Sequence, residues 1–202
     1  NKENLTKKLD PVYQAIAKTR KKLDKRKTLI AFIGAPWTLI TYMLGVKNKP
    51  KENNMDDKNK IEKIIKNLID YLCLHIKKQI EAGANVVQIF DSWAGLLKDL
   101  DSHKLCFLPN LSIVDFCKEN KIPVICFPKG IGKKYKDFNR IVKPNGLSID
   151  YNLNPEWAKK NLTNVVLQGG MDPKVLLESD KKIFNEAKKY LDIFKDVPYI
   201  FN

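Results

Sequence analysis

Arginine, histidine and paired cysteine are all scarce in this sequence, and each shortage removes a class of function. Of 37 basic residues in 202, only Arg20, Arg26 and Arg140 are arginines. The formal net charge of +14 therefore rests on lysines scattered through every helix-like stretch and loop, alongside 18 asparagines. The forked guanidinium favours bidentate contacts to phosphates and bases, and lysine replaces it poorly. That argues for a solvated surface under compositional bias and against a nucleic-acid groove. A lysine-rich surface still attracts anionic small molecules at low salt.

The two histidines are His75 and His103; the four cysteines are Cys73, Cys106, Cys117 and Cys126. No two cysteines form a C-x-x-C pair, and no disulfide framework is implied, so reduced, buried thiols of a cytoplasmic protein are expected. Cys73 and His75 stand two apart on a helix and face different ways. His103 and Cys106 are a lone pair of donors where zinc needs three or four ligands. Neither histidine falls at a strand end, which leaves a histidine-based triad unsupported. No stretch approaches the roughly 18 consecutive apolar residues of a membrane span. No charged start, apolar run and small-residue cleavage site marks an export signal. The sequence opens without methionine in helix-like sequence, so an N-terminal part, with any targeting segment, is expected outside it. Glycine-rich phosphate loops are also absent, which removes the commonest nucleotide-binding readings.

What is present is an alternation of short apolar runs and amphipathic helices. Leu9, Val12, Tyr13, Ile16 and Leu23 predict a helix over 9–24. Leu29 to Ile33 predicts a strand ended by Gly34, and Pro36 starts a helix to about Leu44. Residues 45–59 read as a polar surface loop. Isoleucines and leucines from Ile61 to Ile80 predict a long helix closed by Gly83. Strands follow at Val86–Phe90, Pro123–Phe127, Leu147–Ile149, Val165–Leu167 and Tyr199–Phe201, with helices over 110–119 and 180–194. This order implies parallel βαβ units, with strands covered on both faces. An open doubly wound sheet and a (β/α)8 barrel both fit. Six strands are visible, and the periodicity does not choose between them.

In parallel α/β folds function collects after the C-terminal ends of strands. Three junctions combine small residues with polar or aromatic ones: Gly34-Ala35-Pro36-Trp37-Thr38, Asp91-Ser92-Trp93-Ala94-Gly95 and Gln168-Gly169-Gly170-Met171-Asp172-Pro173. Asp91 or Ser92 could cap a following helix or face a ligand. Asp172-Pro173 reads as an N-cap followed by an N1 proline. Trp37 and Trp93 read as packing residues at the mouth.

These same segments resemble one enzyme family. Phe32-Ile33-Gly34-Ala35-Pro36-Trp37-Thr38-Leu39-Ile40-Thr41-Tyr42-Met43 is similar to the substrate-facing loop of the uroporphyrinogen decarboxylases. Gly83 to Gly95 and Gln168 to Pro173 resemble two further family blocks in the same order. The resemblance implies a truncated (β/α)8 TIM barrel over 1–202 as a single domain, with about six of eight strands. It implies decarboxylation of the four acetate side chains of uroporphyrinogen III to coproporphyrinogen III, without metal or organic cofactor, by a cytoplasmic homodimer. Tyr42 and Ser92 match the family's substrate-contacting tyrosine and serine. The family's acid at the pyrrole nitrogens, its substrate-clamping arginines and its histidine find no match within the 202 residues, so these residues alone are expected to be inactive and marginally foldable. Two departures stand out. Gly170 occupies a position where the family usually has asparagine, and Gly45-Val46-Lys47-Asn48-Lys49 replaces a glycine-rich stretch. Two rival readings are a zinc-dependent methyltransferase of the same superfamily, needing more ligands than His103 and Cys106, and a non-catalytic tetrapyrrole- or polyanion-binding relative.

Overall fold

The structure, a computed structural model, describes residues 2–45, 58–98 and 101–202. Helix α1 (Lys2–Lys22) leads into β1 (Ile30–Gly34) and α2 (Pro36–Met43). Then come α3 (Lys58–Glu81), β2 (Val86–Asp91), a 3-10 turn at Ala94–Leu96, a π-helical stretch at Ser102–Phe107 and α4 (Leu108–Glu119). The chain continues through β3 (Val124–Pro128), a 3-10 turn at Gly132–Lys134, α5 (Tyr135–Val142), β4 (Gly146–Ile149) and α6 (Pro155–Asn161). It ends with β5 (Val166–Gly169), a 3-10 turn at Pro173–Leu177, α7 (Asp180–Phe194) and β6 (Tyr199–Ile200).

All five strand pairings are parallel, and the six strands stand in the order β1-β2-β3-β4-β5-β6. A doubly wound sheet reverses its order at a switch point, whereas a barrel adds each strand to the same growing edge. The sequential order therefore settles what periodicity left open. The sheet is an arc of barrel type, open between β6 and β1.

One face of the arc carries the core. Ile33, Val87, Ile89, Cys126, Leu147 and Leu167 are buried there with Ile65, Ile76 and Phe138 from the helices. The inner face carries the alternate residues, as the two-residue strand period requires. Its covering differs from strand to strand, which corrects the expectation of strands buried on both sides. Phe32 of β1 remains 66% exposed while Gln88 and Gln168 are buried. The curl of the arc shields its middle, and β1 at the rim has no strand on its free edge among the described residues.

The elements follow from local chemistry. α3 buries Ile61, Ile65, Leu72 and Ile76 at helical spacing, and Gly83 after it holds φ +110, a region that favours glycine. α1 begins earlier than its apolar pattern suggests, with Pro11 inside it. Tyr13 is its one buried residue, and the Tyr13 hydroxyl lies 3.0 Å from His75 Nδ1 of α3. Two short helices were not legible in the sequence, α5 and α6. α5 buries Tyr135, Phe138 and Val142, a stripe dispersed among charged residues. α6 has a plain start signal, with Asn154 Oδ1 accepting from Trp157 N at 2.9 Å before Pro155.

The three arginines lie away from the mouth. Arg20 donates to the carbonyls of Leu23, Asp24 and Lys27 at 2.8–2.9 Å and so ties the end of α1 to the turn before β1. Arg26 pairs with Asp24 and Arg140 with Asp137. No helix among the described residues is long and apolar enough to cross a membrane. Of the expected polar loop 45–59, residues 46–57 lie outside the described residues.

Candidate active site at the strand ends

At the C-terminal end of β1 the chain turns straight into α2. Ala35 N donates to Phe90 O at 2.9 Å, which carries the β1–β2 ladder one residue past the strand. Pro36 then opens the helix, and Trp37, Thr38, Ile40 and Thr41 are buried. Tyr42 comes at the end of that helix, 60% exposed. Its ring meets the Trp93 ring edge-on at 6.3 Å. Trp93 follows Ser92 directly after β2, so the two expected contact residues are carried on neighbouring, mutually packed segments. Ser92 is half-buried.

A buried polar knot fixes this corner. Asp91 is 1% exposed, and its carboxylate accepts from Thr38 Oγ1 at 2.9 Å and from Asn110 Nδ2 at 3.1 Å. Thr38 Oγ1 in turn accepts from Trp93 N at 3.4 Å. Burial pushes the Asp91 carboxyl up to about 6, against the opposing pull of hydrogen bonds from Cys106, Thr38 and Asn110. Asp91 is thus a tie between α2, β2 and α4; it neither caps a helix nor faces the mouth. The Trp37 indole adds a second tie, donating to Trp93 O at 3.1 Å. The Trp93 indole N–H is buried without an acceptor among the described residues.

The third junction is structural where the sequence suggested it. Asp172 Oδ1 accepts from Lys174 N at 2.9 Å, an N-cap ahead of Pro173. Gly170 holds φ +99, and a Cβ there would press Ile149 Cδ1 and Tyr190 Cε1, both at 3.1 Å. Tyr190 donates from its hydroxyl to Gly170 O at 2.6 Å. The space an asparagine side chain would use is filled from α7 and β4.

Three aromatic residues on the inner face were missed by sequence reasoning. Phe32, Phe90 and Phe127, from β1, β2 and β3, form an edge-to-face series with centroid separations of 5.9 and 6.1 Å. Within apolar runs such residues read as core. Only the sheet register separates the inner set from the outer. Beyond them a cavity of about 430 Å³ opens at the ends of β3, β4 and β5, with Phe90, Phe127, Lys129, Ser148, Asp150 and Tyr151 among its lining residues. Deeper in the arc, Gln168 Nε2 donates to Gln88 Oε1 at 3.2 Å, while Gln168 Oε1 is buried without a partner among the described residues.

The pair His103 and Cys106 does not form a metal centre. His103 lies against the Phe107 ring at 6.0 Å, whereas Cys106 is fully buried beside Asn110. Burial and the nearby Asp91 carboxylate hold the Cys106 thiol well above its ordinary range, the opposite of what a thiolate ligand needs. Among the described residues no group of three or more His, Cys, Asp or Glu is placed to hold a metal ion.

A sequentially ordered parallel arc with aromatic and polar side chains gathered at its strand ends defines an α/β protein of the (β/α) barrel type, with a candidate ligand site at its mouth. The likeness to a solved structure agrees: a chain from Listeria monocytogenes with the provisional title of vitamin-B12-independent methionine synthase matches with a TM-score of 0.60 at 16% identity, over 95% of this chain and 61% of that one. At that identity the likeness speaks for fold alone. The family model described as Uroporphyrinogen decarboxylase (URO-D) matches residues 1–202. Curated relatives named uroporphyrinogen decarboxylase include those of Orientia tsutsugamushi strain Ikeda (40% identical over 96% of this chain and 59% of the relative) and of a Brugia malayi Wolbachia (37% identical over 100% of this chain and 59% of the relative). This chain belongs to the uroporphyrinogen decarboxylase family. It spans 59% of the length of these relatives.

Proposed function

We propose that this chain forms the larger part, as one truncated barrel domain, of an enzyme that removes the four acetate carboxyls of uroporphyrinogen to give coproporphyrinogen in tetrapyrrole and haem biosynthesis. The observation that carries the reading is the family match over the whole of residues 1–202. The geometry described above supports it. Phe32, Phe90 and Phe127 offer an apolar wall of ring edges and faces, suited to a large, ring-built substrate. Tyr42 and Ser92 bring a phenol and a hydroxyl to the same end of the arc, each able to hydrogen-bond a carboxylate.

The chemistry asks for no resident cofactor. Protonation of the pyrrole ring beside an acetate makes the ring the electron sink. The bond between methylene and carboxylate carbons then breaks, carbon dioxide leaves, and its bonding pair enters the ring system. Reprotonation at the methylene carbon and loss of the ring proton leave a methyl group. The protein's part is to hold a polyanion and to place charge near the pyrrole nitrogens. On this reading Tyr42 and Ser92 bind and orient, while the family's proton-handling acid, arginine clamps and histidine are supplied from outside these 202 residues. A cytoplasmic homodimer belongs to the same proposal.

The test is anaerobic incubation of the full-length protein with uroporphyrinogen III. Four equivalents of carbon dioxide and coproporphyrinogen III are expected, and absence of both overturns the reading. The 202-residue polypeptide by itself is expected to give neither product.

A further inference from the structure

Among the described residues Lys129 is the single cationic one in the lining of the cavity at the ends of β3, β4 and β5. Its backbone is held on both sides. Lys129 N donates to Asp91 O and Phe127 O, each at 3.1 Å, and its carbonyl accepts from Gly95 N at 2.9 Å. The β2 and β3 loops meet there so closely that a Cβ on Gly95 would stand 2.7 Å from Gly130 O. The segment presenting the lysine is therefore rigid, while its side chain stays exposed.

The cavity also includes one carboxylate, Asp150, and it is already engaged. Asp150 Oδ2 accepts from Gly130 N at 2.8 Å and from the Tyr135 hydroxyl at 3.1 Å, and Oδ1 accepts from Asn152 N at 3.0 Å. Asp150 thus anchors the loop that carries Lys129. It forms no salt bridge with it, and Lys129 has no acidic partner among the described residues. An exposed ammonium on a fixed backbone brings three N–H donors and the Ser148 hydroxyl in the same lining a fourth, next to the apolar rings of Phe90 and Phe127. A cavity of about 430 Å³ admits a short carboxylate-bearing side chain.

We infer that Lys129 binds one carboxylate of the substrate and so supplies a cationic contact from within this chain, at the β3 corner of the mouth. The inference rests on the tetrapyrrole reading and adds to it a residue and a subsite. Without Lys129 an approaching polyanion meets no positive charge among the cavity's own lining residues.

The experiment uses the full-length protein and uroporphyrin I, a stable flat octacarboxylate, with binding followed by fluorescence at several salt concentrations. Lys129→Met is expected to weaken binding about tenfold and to flatten the salt dependence, with unchanged thermal unfolding. Lys129→Arg is expected to bind within about threefold of wild type. Lys133→Met removes the same charge from an exposed site outside the cavity lining and is expected to bind like wild type. In turnover, Lys129→Met is expected to raise KM with little change in kcat. Wild-type turnover together with unaltered binding by Lys129→Met overturns the inference alone, as does equal weakening by Lys133→Met. Absence of wild-type binding and turnover overturns the tetrapyrrole reading and this inference with it.

Discussion

The two corners of the mouth use their polar groups in opposite ways. At the β1–β2 corner, Asp91, Thr38 and Asn110 are buried and satisfy one another. At the β3–β5 side, Lys129 and Tyr151 stand exposed around a cavity, with only Asp150 committed inward. Both regions are rich in groups that chemistry could use. A saturated cluster has no capacity left for a ligand and serves to hold elements in register. An unsaturated one is built to be completed from outside. On the proposed reading the first corner positions Tyr42 and Ser92, and the second receives part of the substrate.

The largest effect is expected where the saturated corner is broken. Asp91→Ala removes the acceptor shared by Thr38 and Asn110 in the core and should cost roughly 2–4 kcal/mol of stability, read from the denaturant midpoint. Loss below about half a kilocalorie would mean that water or neighbouring side chains replace the tie.

The same residue gives the corner a pH signature. Its folded-state value of about 6 lies above the ordinary carboxylate value, so the folded protein binds more protons between about pH 4 and 6. Its contribution is fully present below the unfolded value and is lost as pH rises through the folded one. Relative to Asp91→Asn, wild type should lose up to about 3 kcal/mol between pH 4 and pH 7. A difference that stays constant over that range would show that Asp91 titrates normally.

A smaller effect on stability and a clear one on turnover are expected at the exposed rim. Tyr42→Phe removes a hydroxyl that lies outside the buried knot and should lower kcat/KM by about tenfold or more, the worth of a hydrogen bond to a charged group. Thermal unfolding should not move. The smallest change is expected at the third junction, where Asp172→Ala deletes the cap of a short 3-10 turn. It should cost about 1 kcal/mol, with turnover near wild type; a large loss of turnover would place Asp172 in the substrate site.

Much of the first corner was legible in the sequence because its signals are local. Gly34, Pro36 and Gly83 mark turns by backbone chemistry alone, and the strand–helix alternation of β1, α2, α3 and α7 came out close to the observed bounds. Tyr42 and Ser92 came through the family resemblance. The second corner was not legible, for two reasons. Phe127 sits in a run apolar at every position, where the two-residue period cannot separate inner from outer faces, and in the run of Phe90 only Gln88 marks the inner face. Lys129 and Asp150 belong to different loops and are brought together by the β3–β4 pairing, which no linear spacing encodes. One signal was available and passed over: Asp150 directly follows β4, a strand-end position like the three junctions that were singled out.

The most direct measurement is kcat/KM for uroporphyrinogen III with full-length wild type and Tyr42→Phe side by side, each with its thermal unfolding curve. Wild type should yield coproporphyrinogen III, and the variant should be slower by about tenfold or more at the same unfolding temperature. A wild type that forms no coproporphyrinogen, or a variant that matches it, would contradict a decarboxylase site at this mouth.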